Sequence, residues 1–271
     1  METGKEGMAA RQSEERVGTL FGLAAYGMWG LFPLYWKALA KVDSVQILAH
    51  RIVWAFAFTA VLIAVMRKGK ALREAFSSIK RVAGVVAAGV LITANWGIYI
   101  WAVNQGRIIE TSLGYYLNPL VSVLLGATVL RETLDRGIKA ACAIALVGIV
   151  ILTLSYGKLP WVALSLALSF ALYGLIKKMI GLDALSGLVA ETAVAFPFAL
   201  AYLFLEHGAG RGAFLVLGVK ESVMLGLAGV VTAVPLLAYA AGVKRIPLSR
   251  MGFLQYISPT TQLLLGVLVY G

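Results

Sequence analysis

Asn95, Tyr99 and Tyr116 bring an amide and two phenols into the segment NWGIYIWAVNQGRIIETSLGYYLNP, residues 95–119, of a chain that is 60% hydrophobic. Amides and hydroxyls can orient a small molecule, and aromatic faces can hold its apolar body. Asn95 and Tyr99 are four residues apart and share one helix face, whereas Trp101 and Asn104 share roughly the opposite one. Ser112, Tyr115, Tyr116, Pro119 and Ser122 fall within about 120° of one another at 100° per residue. In lipid such groups need partners or water. Interhelical hydrogen bonds and an interfacial aromatic belt are the plainer explanation for polar and aromatic residues near span ends, Trp101 and Tyr115 among them. Asn95, Tyr99 and Tyr116 lie deeper and are assigned to a cavity wall.

Arg51 and Glu191 are the clear charges well inside apolar segments, and His50 adjoins Arg51. An ionised group at mid-membrane costs about 2.5–3.5 kcal/mol on the insertion scale, so both should face protein or water. A direct Arg51–Glu191 salt bridge must span roughly 10 Å of depth. The other choices for Arg51 are backbone carbonyls, an anionic group of a solute, or snorkelling outward. Glu191 is the best-placed carboxyl to carry a coupling proton, because burial disfavours a carboxylate's charged form; a hydrogen-bonded structural Glu is the plainer reading. A histidine titrates near neutrality, but His50 also fits a packed, satisfied side chain. Pro119 and Pro259 each free a backbone carbonyl, as hinges or as static bends.

The elements that must position these groups are apolar runs of roughly 20 residues, each long enough to cross about 30 Å of hydrocarbon as a helix. With 14% charged residues and a mean hydropathy of +0.86, the chain reads as an all-α polytopic membrane protein in contact with the lipid bilayer. Nine spans are expected at about 17–40, 45–66, 82–104, 107–130, 138–156, 160–178, 184–205, 222–243 and 247–269. The net charge of +11 does not point to nucleic acid, because Lys and Arg fall in short breaks between spans. Seventeen of the 24 lie on one side, six on the other, and Arg51 inside a span, which puts the N-terminus in the cytoplasm. The single cysteine, Cys142, excludes an intrachain disulfide. The first apolar run has no small-residue cleavage site and reads as an uncleaved helix.

A shift of 140 residues lays SLGYYLNPLVSVLLGATV (112–129) on GFLQYISPTTQLLLGVLV (252–269), matching Tyr116 with Tyr256 and Pro119 with Pro259. It also sets Gly89 on Gly229, Tyr99 on Tyr239 and Arg51 on Glu191; a shift of 144 sets Trp29 on Tyr173. Tyr239, Tyr256, Trp29 and Tyr173 thereby join the expected cavity. The chain divides into a tail, 1–16, a first five-helix repeat, 17–156, and a second repeat, 160–271. Five spans is an odd number, so the second copy is inverted, and inverted repeats are a signature of transporters with a site near mid-membrane. The second copy holds four spans, so a truncated tenth helix is expected.

AYGMWGLFPLYWK, LAHRIVW, NWGIYIWAVN and SLGYYLNPLVSVLLG, in that order, resemble the RarD branch of the EamA drug/metabolite transporters over nearly the whole chain, from about 17 to 271. The resemblance implies two inverted five-helix repeats around a central cavity, a small organic metabolite or drug-like solute, export, and a bacterial inner membrane. It names no solute. Nothing in the chain calls for a cofactor or metal. Enzyme chemistry is poorly served: there are two histidines, His50 and His207, and one Cys, and no Gly-Lys is followed by the Ser or Thr of a phosphate loop. A membrane scaffold or sensor would use Gly18-x-x-x-Gly22 for packing but leaves the duplication unexplained.

Overall fold

The computed structural model describes residues 2–39, 41–105, 107–156 and 160–269. The expected breaks at Gly106 and at 157–158, the residue Gly271, and the side chains of Asn104, Ser112, Lys5, Arg11 and Lys37 lie outside the described residues. The described residues form an all-helical polytopic membrane protein of twelve helices: α1 (Glu2–Gly30), α2 (Phe32–Lys37), α3 (Ser44–Val65), α4 (Gly69–Glu74), α5 (Ile79–Asn104), α6 (Ile108–Thr128), α7 (Arg136–Tyr156), α8 (Trp161–Ile180), α9 (Ala184–Gly208), α10 (Val219–Arg245), α11 (Leu248–Leu254) and α12 (Ile257–Val269). Six of them are long and apolar enough to cross a membrane, and a further apolar stretch covers Leu113–Thr128.

Two expected spans are each broken in two. The first stops at Gly30 and restarts as α2, because Pro33 has no N–H to give the Trp29 carbonyl four residues back. Gln262 Nε2 donates to that freed carbonyl instead, at 3.2 Å. The ninth breaks at Gln255–Tyr256, which leaves Pro259 in the first turn of α12, where a missing N–H costs nothing. Pro119 sits inside the continuous helix α6. The two repeat-matched prolines are therefore not a matched pair of kinks.

Local chemistry starts the matched helices alike. Asp43 caps α3, its Oδ1 accepting from the N–H of Val45 (2.9 Å) and Gln46 (3.1 Å). Asp183, 140 positions on, caps α9 by accepting from the Ser186 N–H at 3.3 Å. Packing follows the same pattern. α1 lies on α10 as α5 lies on α8; α3 lies on α10 as α5 lies on α9; α6 lies on α8 as α1 lies on α12. α3 pairs with α9 and α6 with α11, so these main contacts recur when helices at matched positions are exchanged. Matched glycines permit two of these contacts. A Cβ on Gly89 would sit 2.7 Å from the Glu191 carbonyl oxygen, and one on Gly229 would sit 2.2 Å from the Trp54 carbonyl carbon. Backbones can approach this closely only where no side chain intervenes.

Ion pairs tie the loops at each end of the bundle. Lys68–Asp183 (3.1 Å), Lys178–Glu132 (3.7 Å), Arg245–Glu14 (3.1 Å) and Arg250–Glu15 (3.0 Å) join segments at the basic end. Arg211–Glu206 (2.7 Å) and Arg107–Glu110 (3.0 Å) lie at the far end. Glu110, in the first turn of α6, is 1% exposed.

Candidate functional site: a cavity around Arg51

A cavity of about 220 Å³ opens between α1, α2, α3, α5, α6, α8 and the α11–α12 break, in the half of the bundle away from the basic end. Its charged group is Arg51, two turns into α3 and 9% exposed. Arg51 Nε donates to Thr232 Oγ1 on α10 at 3.0 Å. Its guanidinium carbon lies 4.7 Å from the centre of the Trp36 ring and 4.5 Å from that of Trp96, so indoles from α2 and α5 flank the cation. The rings of Tyr99 and Tyr115 lie 5.7 Å apart, and both residues line the cavity with Arg51. No Asp or Glu lines the cavity among the described residues.

The polar wall is anchored from several helices. Asn95 Nδ2 donates to the Leu166 carbonyl (2.9 Å) and to Ser169 Oγ (2.8 Å), tying α5 to α8. Asn118 Oδ1 accepts from Ser122 Oγ at 3.2 Å within α6. Gln255, at the break between α11 and α12, has a buried Oε1 with no partner among the described residues. Such an atom costs free energy unless water or a ligand donates to it.

The floor toward the basic end is aromatic. Tyr173 and Tyr239 stack at 5.9 Å with a 15° interplanar angle; Trp29 lies 5.7 Å from Tyr239 and 5.4 Å from Tyr26. Beneath it Lys177 Nζ meets Glu191 Oε1 at 2.6 Å, and Tyr173 donates its hydroxyl to Glu191 Oε2 at 3.1 Å. Arg51 and Glu191 do not pair. Glu191 takes Lys177 instead, a residue near the end of α8 that lies inside the bundle.

Of the residues singled out by sequence, Asn95, Tyr99, Trp29 and Arg51 line this cavity. Tyr173 and Tyr239 are fully buried in its floor. Tyr116 and Tyr256 lie outside it: their rings pack 6.2 Å apart, and Tyr256 donates to the Tyr116 carbonyl at 3.4 Å. One residue is 100° of helix, so Tyr115 faces inward and Tyr116 faces away. His50 turns from Arg51 into a second, largely apolar cavity of about 250 Å³ shared with Gln46, His207 and Phe214. Its ring lies 5.2 Å from that of Phe214, and its buried Nδ1 has no partner among the described residues. Sequence reasoning missed Trp36, Trp96, Tyr115, Asn118, Gln255 and Gln262. The last four carry a legible signal, since the 140-residue shift sets Tyr115 on Gln255, Asn118 on Ser258 and Ser122 on Gln262, all polar and all on one stripe.

The model of the EamA-like transporter family matches residues 16–154. The chain is 46% identical over 268 residues to the uncharacterized transporter YojE of Bacillus subtilis (strain 168), covering 96% of this chain and 88% of that protein. It is 42% identical over 259 residues to the protein RarD of Streptomyces exfoliatus, covering 96% of this chain and 82% of that one. A crystal structure superposes with a TM-score of 0.72 at 18% identity, over 93% of this chain and 88% of that chain, which is a likeness of fold.

Proposed function

The chain belongs to the EamA-like transporter family, in its RarD branch, and on that premise we propose that it carries a small organic solute by alternating access between two inverted halves. The observation that carries this reading is the asymmetry of the bundle along its axis. A polar and aromatic cavity occupies the far half, while stacked tyrosines and the Lys177–Glu191 pair fill the half toward the basic end. In a protein whose halves are interchangeable, opening one half and closing the other has a mirror state of similar energy, and switching between the two moves a bound solute. The recurrence of the main helix contacts and the matched Gly89 and Gly229 support such halves.

The volume of about 220 Å³ lies below the roughly 300–1,000 Å³ usual for drug-sized ligands, which favours a small metabolite. The basic end is cytoplasmic on the positive-inside rule, so the cavity belongs to the outer half and the membrane is the bacterial inner membrane. Export is the direction the resemblance implies. Transport needs no nucleotide hydrolysis by this chain, which has no phosphate loop. Any proton coupling would run through Glu191 or His50.

The test is flux in proteoliposomes. Counterflow of a solute found by a binding screen should appear with the protein and vanish when the cavity is occluded, for example by Asn118→Trp. Tight solute binding without any movement across the membrane would replace this reading with a sensor. Labelling of Lys70→Cys in a Cys142→Ala background should succeed only from the cytoplasmic side; labelling from outside would reverse the orientation.

A further inference from the structure

We propose that Arg51 is the receptor for an anionic group, a carboxylate or a phosphonate-like oxyanion, on the solute that the cavity takes; this rests on the transporter reading and names its substrate class. The guanidinium carbon of Arg51 lies 4.7 Å from the centre of the Trp36 ring and 4.5 Å from that of Trp96. Its Nε–H is used by Thr232. Among the described residues the hydrogen bond of this guanidinium runs from Nε, and no Asp or Glu lines the cavity that its two terminal nitrogens adjoin. What remains is the flat terminal edge of the guanidinium beside a cavity of about 220 Å³. A fork of parallel N–H donors matches two oxygens of a carboxylate or phosphonate.

The rest of the cavity completes a description of the ligand. A buried cation without a counter-ion is costly inside a membrane protein, and an anionic ligand removes that cost. The absence of Asp and Glu from the lining gives a cationic solute no countercharge. Tyr26, Trp29, Trp36 and Phe170 supply aromatic surface for an apolar body. Gln255 Oε1, buried and unpartnered, offers an acceptor for a hydroxyl or amide on the same ligand. The ligand is thus a small monoanion or dianion with an apolar or aromatic body and one hydrogen-bond donor.

The probes are benzoate, phenylphosphonate, benzamide and benzylammonium, with the full chain in lipid nanodiscs. Binding is read by intrinsic tryptophan fluorescence, since Trp36 and Trp96 flank the receptor, and by thermal unfolding. Benzoate or phenylphosphonate should bind saturably and at least about ten-fold more tightly than benzamide, its neutral isostere. Whichever of the two binds better assigns the group as carboxylate or phosphonate. Arg51→Gln should abolish the preference for anions, and Arg51→Lys, which keeps charge but loses the planar fork, should fall between. The comparison of benzoate with benzamide uses the unaltered protein, so it stands even if the variants misfold. The proposal is overturned if benzamide or benzylammonium binds as well as the anions, or if neither anion saturates. Saturable anion binding without flux would sink the transport reading and leave this one standing. Flux of neutral or cationic solutes that Arg51→Gln leaves unchanged would do the reverse.

Discussion

Lys177 Nζ and Glu191 Oε1 lie 2.6 Å apart, with 6% and 3% of their side chains exposed. Lys177 also sits 5.2 Å over the Tyr173 ring, whose hydroxyl completes the carboxylate's partners. A buried pair of this kind is weak evidence of net stability, but removing one member strands the other. Glu191→Gln or Lys177→Gln should each destabilise by about 3–5 kcal/mol, and an apolar double replacement, Lys177→Met with Glu191→Leu, should recover most of it. Thermal unfolding in detergent measures the set; singles that unfold like the unaltered protein contradict the pair's structural role. A coupling role for Glu191 is a separate question. Reconstituted Glu191→Gln that retains flux driven by a proton gradient would rule it out.

The close approaches of α10 to α3 and of α5 to α9 make two glycines irreplaceable. At Gly229 a methyl group would meet backbone of Trp54 and Ala55, which cannot swing aside as a side-chain tip can. Gly229→Ala should cost about 1–3 kcal/mol through forced helix separation. Gly89→Ala should act in the same direction against the Glu191 carbonyl. Gly97 and Gly226 have nothing within 4 Å of the added carbon, so alanine there should stabilise by up to about 1 kcal/mol from helix propensity alone. Equal effects at Gly229 and Gly226 would mean that the close contact is absent.

Much of this arrangement was legible in the sequence, and the failures share one cause. Periodicity and repeat matching identify helices, halves and the polar stripes, because each is a property of one chain segment or of its copy. They cannot fix the rotation of a helix to better than one residue, so Tyr116 was chosen where Tyr115 faces the cavity. They cannot show that a basic residue near a helix end, Lys177, meets a carboxylate on another helix inside the bundle. Arg51's neighbours come from α2, α5 and α10. No local pattern joins Trp36, Trp96 and Thr232, and only the tertiary fold does.

Asp183 carries a pH prediction. Partial burial pushes its carboxyl pKa upward, but hydrogen bonds from Lys68 and Ser186 and the charge of Lys68 outweigh this, and the net shift is downward. A depressed pKa in the folded state stabilises above the unfolded carboxylate value, about 3.9, and that contribution is lost as pH falls through the folded value. The pair is about one-third exposed, so the increment is at most about 1 kcal/mol. Asp183→Asn keeps a good helix cap but loses the ion pair. It should unfold more easily than the unaltered protein at pH 7 and converge with it in strong acid. A difference that persists unchanged at low pH would assign the effect to the cap geometry instead.

The last prediction concerns the break between α1 and α2, which brings Trp36 to Arg51. Pro33 cannot donate to the Trp29 carbonyl, and Gln262 from α12 does so instead at 3.2 Å. The break and the α12 contact are thus one device: the proline frees an acceptor and the glutamine satisfies it. Gln262→Leu alone should leave a carbonyl without a donor, at a cost of about 1–3 kcal/mol. Pro33→Ala restores an N–H at the position four residues on from Trp29, which lets the helix continue and satisfies the carbonyl within α1. In that background Gln262→Leu should cost far less, giving a coupling of about 1 kcal/mol or more in a double-mutant cycle. Pro33→Ala should also draw Trp36 off the guanidinium and weaken benzoate binding. Additive stabilities in the cycle, together with unchanged tryptophan emission in Pro33→Ala, would show that the break is held by packing of α2 and not by the exchange of donors.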